Sequence, residues 1–181
     1  MTRSGSISYT NAKFGSGAQI TGNTSYLSFP RSVISTAACT VEFYFSPNFS
    51  SVGISNYKTL LDCDTGVTSN RLILGWYSGG FYFSLFNNVS VHATPTFSNG
   101  QAMHFALVWD KDGIAGSSDT VRCYVDGNLH CATNYGIWQA PTFNNVYVGH
   151  HVAGNGNADG TIDNLKVSHY AKTNFSDRFT E

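Results

Sequence analysis

The stretch that begins at Met103 limits this chain more than any other. It reads MHFALVWD, then KDGIAGSSD, then TVRCYVDGNLHCAT. Phe105, Leu107 and Trp109 alternate with His104, Ala106 and Val108; Val121, Cys123 and Val125 alternate with Arg122 and Tyr124. A period of two belongs to a strand with two distinct faces, because successive side chains point to opposite sides of the pleat. Asp126-Gly127-Asn128 supplies residues that tolerate the positive φ of a tight turn. The block predicts three antiparallel strands, two of them joined as a hairpin, with Trp109 in the core beside Phe105 and Leu107.

Cys123 and Cys131 flank that hairpin. A three-residue loop from Asp126 to Asn128 sets them opposite each other; a two-residue loop sets Cys123 opposite His130. The sequence leaves the register open. The four cysteines, Cys39, Cys63, Cys123 and Cys131, are too few and too spread for a disulfide scaffold or a CxxC metal site, so small buried hydrophobes are expected.

The same period recurs along the chain. In CTVEFYFSP (39–47), Cys39, Val41, Phe43 and Phe45 share one face, and Glu42 and Tyr44 the other. Two short strands are expected within 13–30, the second ended by Pro30. Others are expected at 58–63, at 70–76 and FYFSLFN (a second hairpin around Ser78-Gly79-Gly80), and at 89–92, 144–149 and 161–170. No stretch of useful length has a helical period. About a dozen short strands with Gly/Asn/Asp turns predict an all-β sandwich or jelly roll. Without an internal repeat or a linker, one domain over 1–181 is expected.

Composition narrows the partners. With 181 residues, 41% of them hydrophobic, one sizeable core is expected. Charged residues make up only 12%, about half the usual share, so the surface is neutral and polar, as on many extracellular and virion proteins. A net charge of −1 without a basic stripe argues against nucleic acid. No segment is long enough to span a membrane and no basic-then-apolar leader opens the chain, so synthesis in the cytoplasm without membrane insertion is expected. Asn23, Asn48, Asn88 and Asn174 each open an Asn-x-Ser/Thr pattern, read here as accidents of polar loops.

Five phrases in order, KFGSGAQITGNTSYLSFP, TVEFYFSP, HFALVWD, VRCYVDGNL and GTIDNLKVSHYAKTNFSDRF, resemble a laminin-G-like domain over almost the whole chain. The resemblance implies a concanavalin A-like jelly roll, a sandwich of two antiparallel sheets. The closing phrase is similar to endings of such domains in bacteriophage structural proteins and bacterial surface proteins. Fold membership alone does not fix function, since this fold carries lectins, adhesins, hydrolases and structural modules.

A hydrolase of this fold needs two carboxylates across a cleft. The sequence has only Glu42 and Glu181 as glutamates and lacks the Glu-x-Asp-x-x-Glu strand of family glucanases. Asp62 and Asp64 form an i, i+2 pair in DCDTG, read as a solvated turn. No Gly-x-Ser-x-Gly elbow is present. Catalysis is therefore not expected. Calcium is the expected cofactor if there is one. Asn155, Asn157 and Asp159 set oxygens at alternate positions before Gly160, and Asp163 adds a carboxylate. The twelfth position of such a loop, however, is Lys166. The resemblance also permits calcium at a sheet rim. His150-His151 follow a strand end; adjacent strand residues face opposite ways, so they are not expected to share one metal, and they read as loop polarity.

Sugar binding uses exposed aromatic rings beside hydrogen-bonding groups. The candidates are Trp76 and Tyr77 at the second hairpin tip, and Tyr135 and Trp138 in the loop NYGIW. The expected molecule is a non-catalytic module on a virion, tail-associated or capsid-decorating, that binds glycans or another host-surface ligand. It is expected to form homo-oligomers and to touch other virion proteins. An extracellular or cell-surface location is the alternative setting. A purely structural capsid or tail subunit is the competing class, and a glycoside hydrolase comes third.

Overall fold

The computed structural model describes residues 1–63, 71–77, 79–86, 88–135, 143–152, 154 and 156–179, with the backbone alone at 86 and 88–91. In chain order its strands are β1 (Thr2–Ser4), β2 (Ser8–Asn11), β3 (Ser16–Ile20), β4 (Tyr26–Pro30), β5 (Ala38–Pro47), β6 (Lys58–Asp62), β7 (Arg71–Tyr77), β8 (Gly80–Phe86), β9 (Asn88–His92), β10 (Met103–Asp110), β11 (Val121–Val125), β12 (Asn128–Thr133), β13 (Asn145–Val148) and β14 (Gly160–Ser168). They form two antiparallel sheets of seven strands. The front sheet runs β1-β4-β13-β6-β7-β8-β9; the back sheet runs β12-β11-β10-β5-β14-β3-β2. This is the two-sheet sandwich expected from the alternation. Among the described residues no helix is long and apolar enough to cross a membrane.

The core is the sum of the alternating faces. Cys39, Val41, Phe43 and Phe45 of β5, with Phe105, Leu107 and Trp109 of β10, point forward. They meet Leu72, Leu74 and Trp76 of β7 and Phe81, Phe83 and Leu85 of β8. Trp109 lies in this core as expected, and its indole N–H donates to the Ser35 carbonyl at 3.0 Å. That bond removes the cost of burying the one polar atom of the ring. The sequence did not predict β1 and β2. Both are edge strands, each with one partner, and their mostly exposed polar residues carry no apolar period.

The hairpin combines both alternatives left open by the sequence. Asp126 (φ 50°) and Gly127 (φ 78°) are both left-handed, which a two-residue type I′ turn requires. Val125 therefore pairs with Asn128 and Tyr124 with Leu129. A bulge between Cys123 and Tyr124 then shifts the register by one, and Cys123 faces Cys131 after all. Both thiols are free and buried, as are those of Cys39 and Cys63.

The polar face of β5 explains why the outer side of the back sheet is closed. Thr40 donates its hydroxyl to the Tyr170 carbonyl at 2.8 Å and accepts from the Lys172 amide at 2.9 Å. Glu42 receives the Lys172 ammonium at 2.8 Å and His104 Nε2 at 3.0 Å. Tyr44 donates to the Arg178 carbonyl at 2.9 Å. Phe175 is buried among Ala106, Val108, Ile114 and Tyr124. The segment 170–179 is thus a strap across the back sheet, held by alternate residues of one strand. Burial by itself would raise the Glu42 carboxyl, but the hydrogen bonds and charges of His104 and Lys172 hold it below the usual glutamate value.

Candidate functional site

With the back sheet strapped, the outer face of the front sheet becomes the place to look. Ser28, Tyr147, Asp62, Ile73 and Ser84 stand side by side on β4, β13, β6, β7 and β8. Towards one end of the same face come Tyr26, Gly75 paired with Tyr82, and then Tyr77. Gly75 is required there, because a Cβ would collide with the Lys58 carbonyl across the bulge of β6.

Aromatic rings gather at this end. Tyr26 stacks on His150 with centroids 5.2 Å apart and planes 21° apart, and meets Tyr147 edge-on at 5.2 Å. His151 stacks on Tyr57 at 5.2 Å and 24°, and Tyr57 on Tyr77 at 4.0 Å and 17°. The two histidines follow β13 in succession, and each brings its ring to a different tyrosine. They are more than loop polarity: His150 packs on Tyr26 and His151 on Tyr57. Tyr57 has both faces covered. Tyr77 is 45% exposed and presents its free face to solvent.

Asp62 anchors the centre. It is fully buried, not the solvated turn residue expected from DCDTG; its partner in that pair, Asp64, lies outside the described residues. Its carboxylate accepts His151 Nδ1–H at 2.6 Å and the Val152 amide at 2.9 Å. The turn that carries the histidines is closed by His151 N–H to Gly156 O at 2.7 Å and Ala158 N–H to Gly149 O at 2.9 Å. Burial pushes His150 below the usual histidine value, against the pull of Asp62. Burial, then the hydroxyl of Tyr77, pushes the Tyr57 phenol up. Arg71 donates to the Tyr82 hydroxyl at 2.8 Å, so this pair spans the row that holds Ile73 and Ser84.

The aromatic candidates divide sharply. Trp76, expected as a platform, is 1% exposed and packs against Phe45, Phe49, Phe81, Phe97 and Phe105 at 5.4–6.1 Å. It shares the inward phase of β7 with Leu72 and Leu74, and its neighbour Tyr77 takes the outward one. Tyr135 is 7% exposed, tilted against Phe83 at 6.1 Å; it is a packing residue at the edge of an open pocket of about 350 Å³. Trp138 lies outside the described residues. Among the described residues, Tyr77 is the one predicted ring that the structure brings to the aromatic face. Tyr26, Tyr57, Tyr147 and the histidine pair were missed.

The expected calcium ligands also separate. Asn155 lies outside the described residues. Asn157 is buried in a bridge to His150. The Asp159 carboxylate is bound to the Lys58 ammonium at 2.7 Å, and that of Asp163 accepts the Phe14 amide at 2.7 Å. Asp159 precedes β14 with a left-handed backbone (φ 52°), Asp163 lies within that strand, and their carboxylates serve different partners. Among the described residues no three His, Cys, Asp or Glu side chains gather as a metal site. The donors described do not fit a calcium sphere.

A laminin-G-like family model, described as the concanavalin A-like lectin/glucanases superfamily, matches residues 21–174. No curated protein matches the chain. Among solved structures, domain 4 of the extracellular arabinanase AbnA from Geobacillus stearothermophilus, in complex with arabinotriose, aligns with a TM-score of 0.68. The identity is 19%, covering 92% of this chain and 77% of that one. The CBM40 of the Ruminococcus gnavus IT-sialidase aligns with a TM-score of 0.60 at 16% identity, covering 90% and 94%. A botulinum neurotoxin type C structure, described as dependent on two ganglioside molecules for cell entry, aligns at 0.67 and 10% identity, covering 94% of this chain and 43% of the toxin chain. At such identities these likenesses establish the fold alone.

Proposed function

Because the chain belongs to the concanavalin A-like lectin/glucanases superfamily, we propose that it is a non-catalytic glycan-binding module whose binding surface is the aromatic end of the front sheet. The observation that carries this reading is the exposed ring of Tyr77, held rigid on Tyr57. A flat ring backed by a second ring offers apolar area at little cost in entropy. Tyr82, whose hydroxyl accepts from Arg71, stands on the neighbouring strand, and Tyr147 and His150 lie with Tyr26 further across the sheet. The arabinanase domain, with its bound arabinotriose, and the toxin, with its gangliosides, support a saccharide ligand.

Two observations favour binding over hydrolysis. Glu42 is committed to Lys172 and His104 beneath the strap. Asp62 is sealed from solvent by His151 and Val152. Among the described residues, no second carboxylate lines a cleft with either of them to complete a glycosidase pair. We further propose that the module works on a virion surface, tail-associated or capsid-decorating, as one copy in a homo-oligomer whose weak sites act together on a host glycan. The sparse charge and the closing phrase support that setting. Exposed Leu129 on edge strand β12 and Tyr9 on edge strand β2 favour contacts with neighbouring copies, which is also what a purely structural subunit would use. A glycan array on wild type and Tyr77→Ala separates the two roles. Binding lost in the variant, with the fold intact, supports the lectin; silence of the wild type across the array overturns it.

A further inference from the structure

We propose that Cys123 and Cys131 are a modification site, closed to a cross-strand disulfide by exchange with a low-molecular-weight disulfide. The bond staples the outer hairpin of the back sheet. The pairing is built into the ladder. The two-residue turn at Asp126-Gly127 sets Val125 opposite Asn128 and Tyr124 opposite Leu129. Continued without a break, it would set Cys123 opposite His130. The bulge between Cys123 and Tyr124 moves the ladder on by one residue and makes Cys131 the partner. Directly opposite residues of an antiparallel pair share a face, with Cα atoms about 4.5–5.5 Å apart. That lies inside the roughly 4.4–6.8 Å that a disulfide spans. Both side chains enter the same core cluster, and the two thiols share a hydrogen bond. The other two cysteines have other partners. Cys39 stands opposite Trp109 and donates its thiol to the Thr40 carbonyl; Cys63 follows β6 and donates to the Leu72 carbonyl at 3.4 Å.

The position of the pair gives the order of events. Among the described residues β12 is the edge of its sheet, joined to β11. Cys131, 7% exposed, lies on that edge, and fully buried Cys123 lies behind it. Burial, then the hydrogen bond with Cys131, pushes the Cys123 thiol well up. Exchange therefore begins at Cys131 as the edge strand opens locally. Deprotonated Cys131 attacks one sulfur of the external disulfide and breaks its S–S bond. One thiolate leaves and takes up a proton, and a mixed disulfide remains on Cys131. The Cys123 sulfur then attacks that of Cys131, its proton passes to the second departing thiolate, and the protein disulfide closes. The two cysteines are oxidised, and the external disulfide is reduced to two thiols. His130, beside Cys131, donates Nε2–H to the Ala93 carbonyl at 2.8 Å. The stapled strand thus also holds the segment that follows β9 of the other sheet.

Mass spectrometry and melting curves test the proposal. The folded wild type is incubated with oxidised glutathione or with dithiothreitol, then melted, or denatured and alkylated for mass analysis. Oxidation is expected to link the peptides that carry Cys123 and Cys131 and to leave Cys39 and Cys63 as the alkylated residues. It is expected to raise the melting temperature by about 5 °C, and dithiothreitol to reverse the rise. Cys123→Ala is expected to hold one glutathione on Cys131 and to show no such rise. If that variant does not fold, the wild-type masses and melting curves decide by themselves. Four alkylated cysteines in the wild type after glutathione, a disulfide that includes Cys39 or Cys63, or a linked pair that melts no higher overturns the staple. An unmodified Cys131 in folded Cys123→Ala overturns Cys131 as the point of entry.

Discussion

The ring of Tyr77 lies on that of Tyr57, centroids 4.0 Å and planes 17° apart, whereas Trp76, one residue earlier, is enclosed by five phenylalanines. Neighbours on one strand thus have opposite duties. Tyr77→Ala removes a half-exposed ring and its stack on Tyr57 and is expected to cost about 1 kcal/mol while abolishing glycan binding. Trp76→Ala empties part of the core and is expected to cost about 3–5 kcal/mol. Urea denaturation of the two variants checks the contrast; a severe loss of stability in Tyr77→Ala sinks the assignment of Tyr77 to the ligand.

This pair also shows what the sequence could carry. Alternation located the sheets and the core from residues such as Phe43, Phe105 and Trp109, because burial of one face imposes a period of two. The same rule, applied to β7 in phase with Leu72 and Leu74, places Trp76 inward. The expectation for Trp76 went astray by weighing its position near a hairpin tip above its phase. The site itself is spread over Tyr26, Tyr57, Tyr77, Tyr147 and two histidines. Their proximity depends on strand order across the sheet (β4-β13-β6-β7), which joins distant parts of the chain. Local pattern has no access to that order. The strap was hidden for the same reason: Glu42 read as a lone acid because Lys172 is 130 residues away.

The strap gives a pH prediction. Glu42 is buried, bonded to Lys172 and His104, and held below its usual value. A group whose pKa is lowered on folding contributes stability above its unfolded value, and that contribution is lost as pH falls through the folded one. Stability is therefore expected to decline below about pH 4.3. Glu42→Gln removes the charge that meets Lys172, which keeps Asp177 at 2.9 Å, and is expected to cost about 1–3 kcal/mol at pH 7, with a shallower acid slope. Melting temperatures from pH 3 to pH 7 decide; parallel curves for the two proteins would falsify the latch.

Ser84 offers a test of opposite sign. It is 1% exposed on the front face, and its hydroxyl has no partner among the described residues. A buried hydroxyl without a hydrogen bond costs free energy, so removing it relieves a penalty. Ser84→Ala is expected to leave stability unchanged or to raise it by about 1 kcal/mol. A marked fall in the urea midpoint would show that the hydroxyl is satisfied in solution.

Calcium can be judged by the same kind of measurement. Asp159 is neutralised by Lys58 at 2.7 Å, and Asp163 is bonded to the Phe14 amide at 2.7 Å. Binding an ion there means breaking the ion pair and taking the Asp163 carboxylate from the Phe14 amide. A ligand that binds only the folded state raises the melting temperature as its concentration passes the dissociation constant. Millimolar calcium against excess chelator is therefore expected to leave the melting temperature unmoved. Lys58→Met removes the competing ammonium. A calcium-dependent rise in that variant alone would show that Lys58 takes the place of the ion in this loop, and a rise in the wild type would restore Asn155, Asn157, Asp159 and Asp163 as ligands.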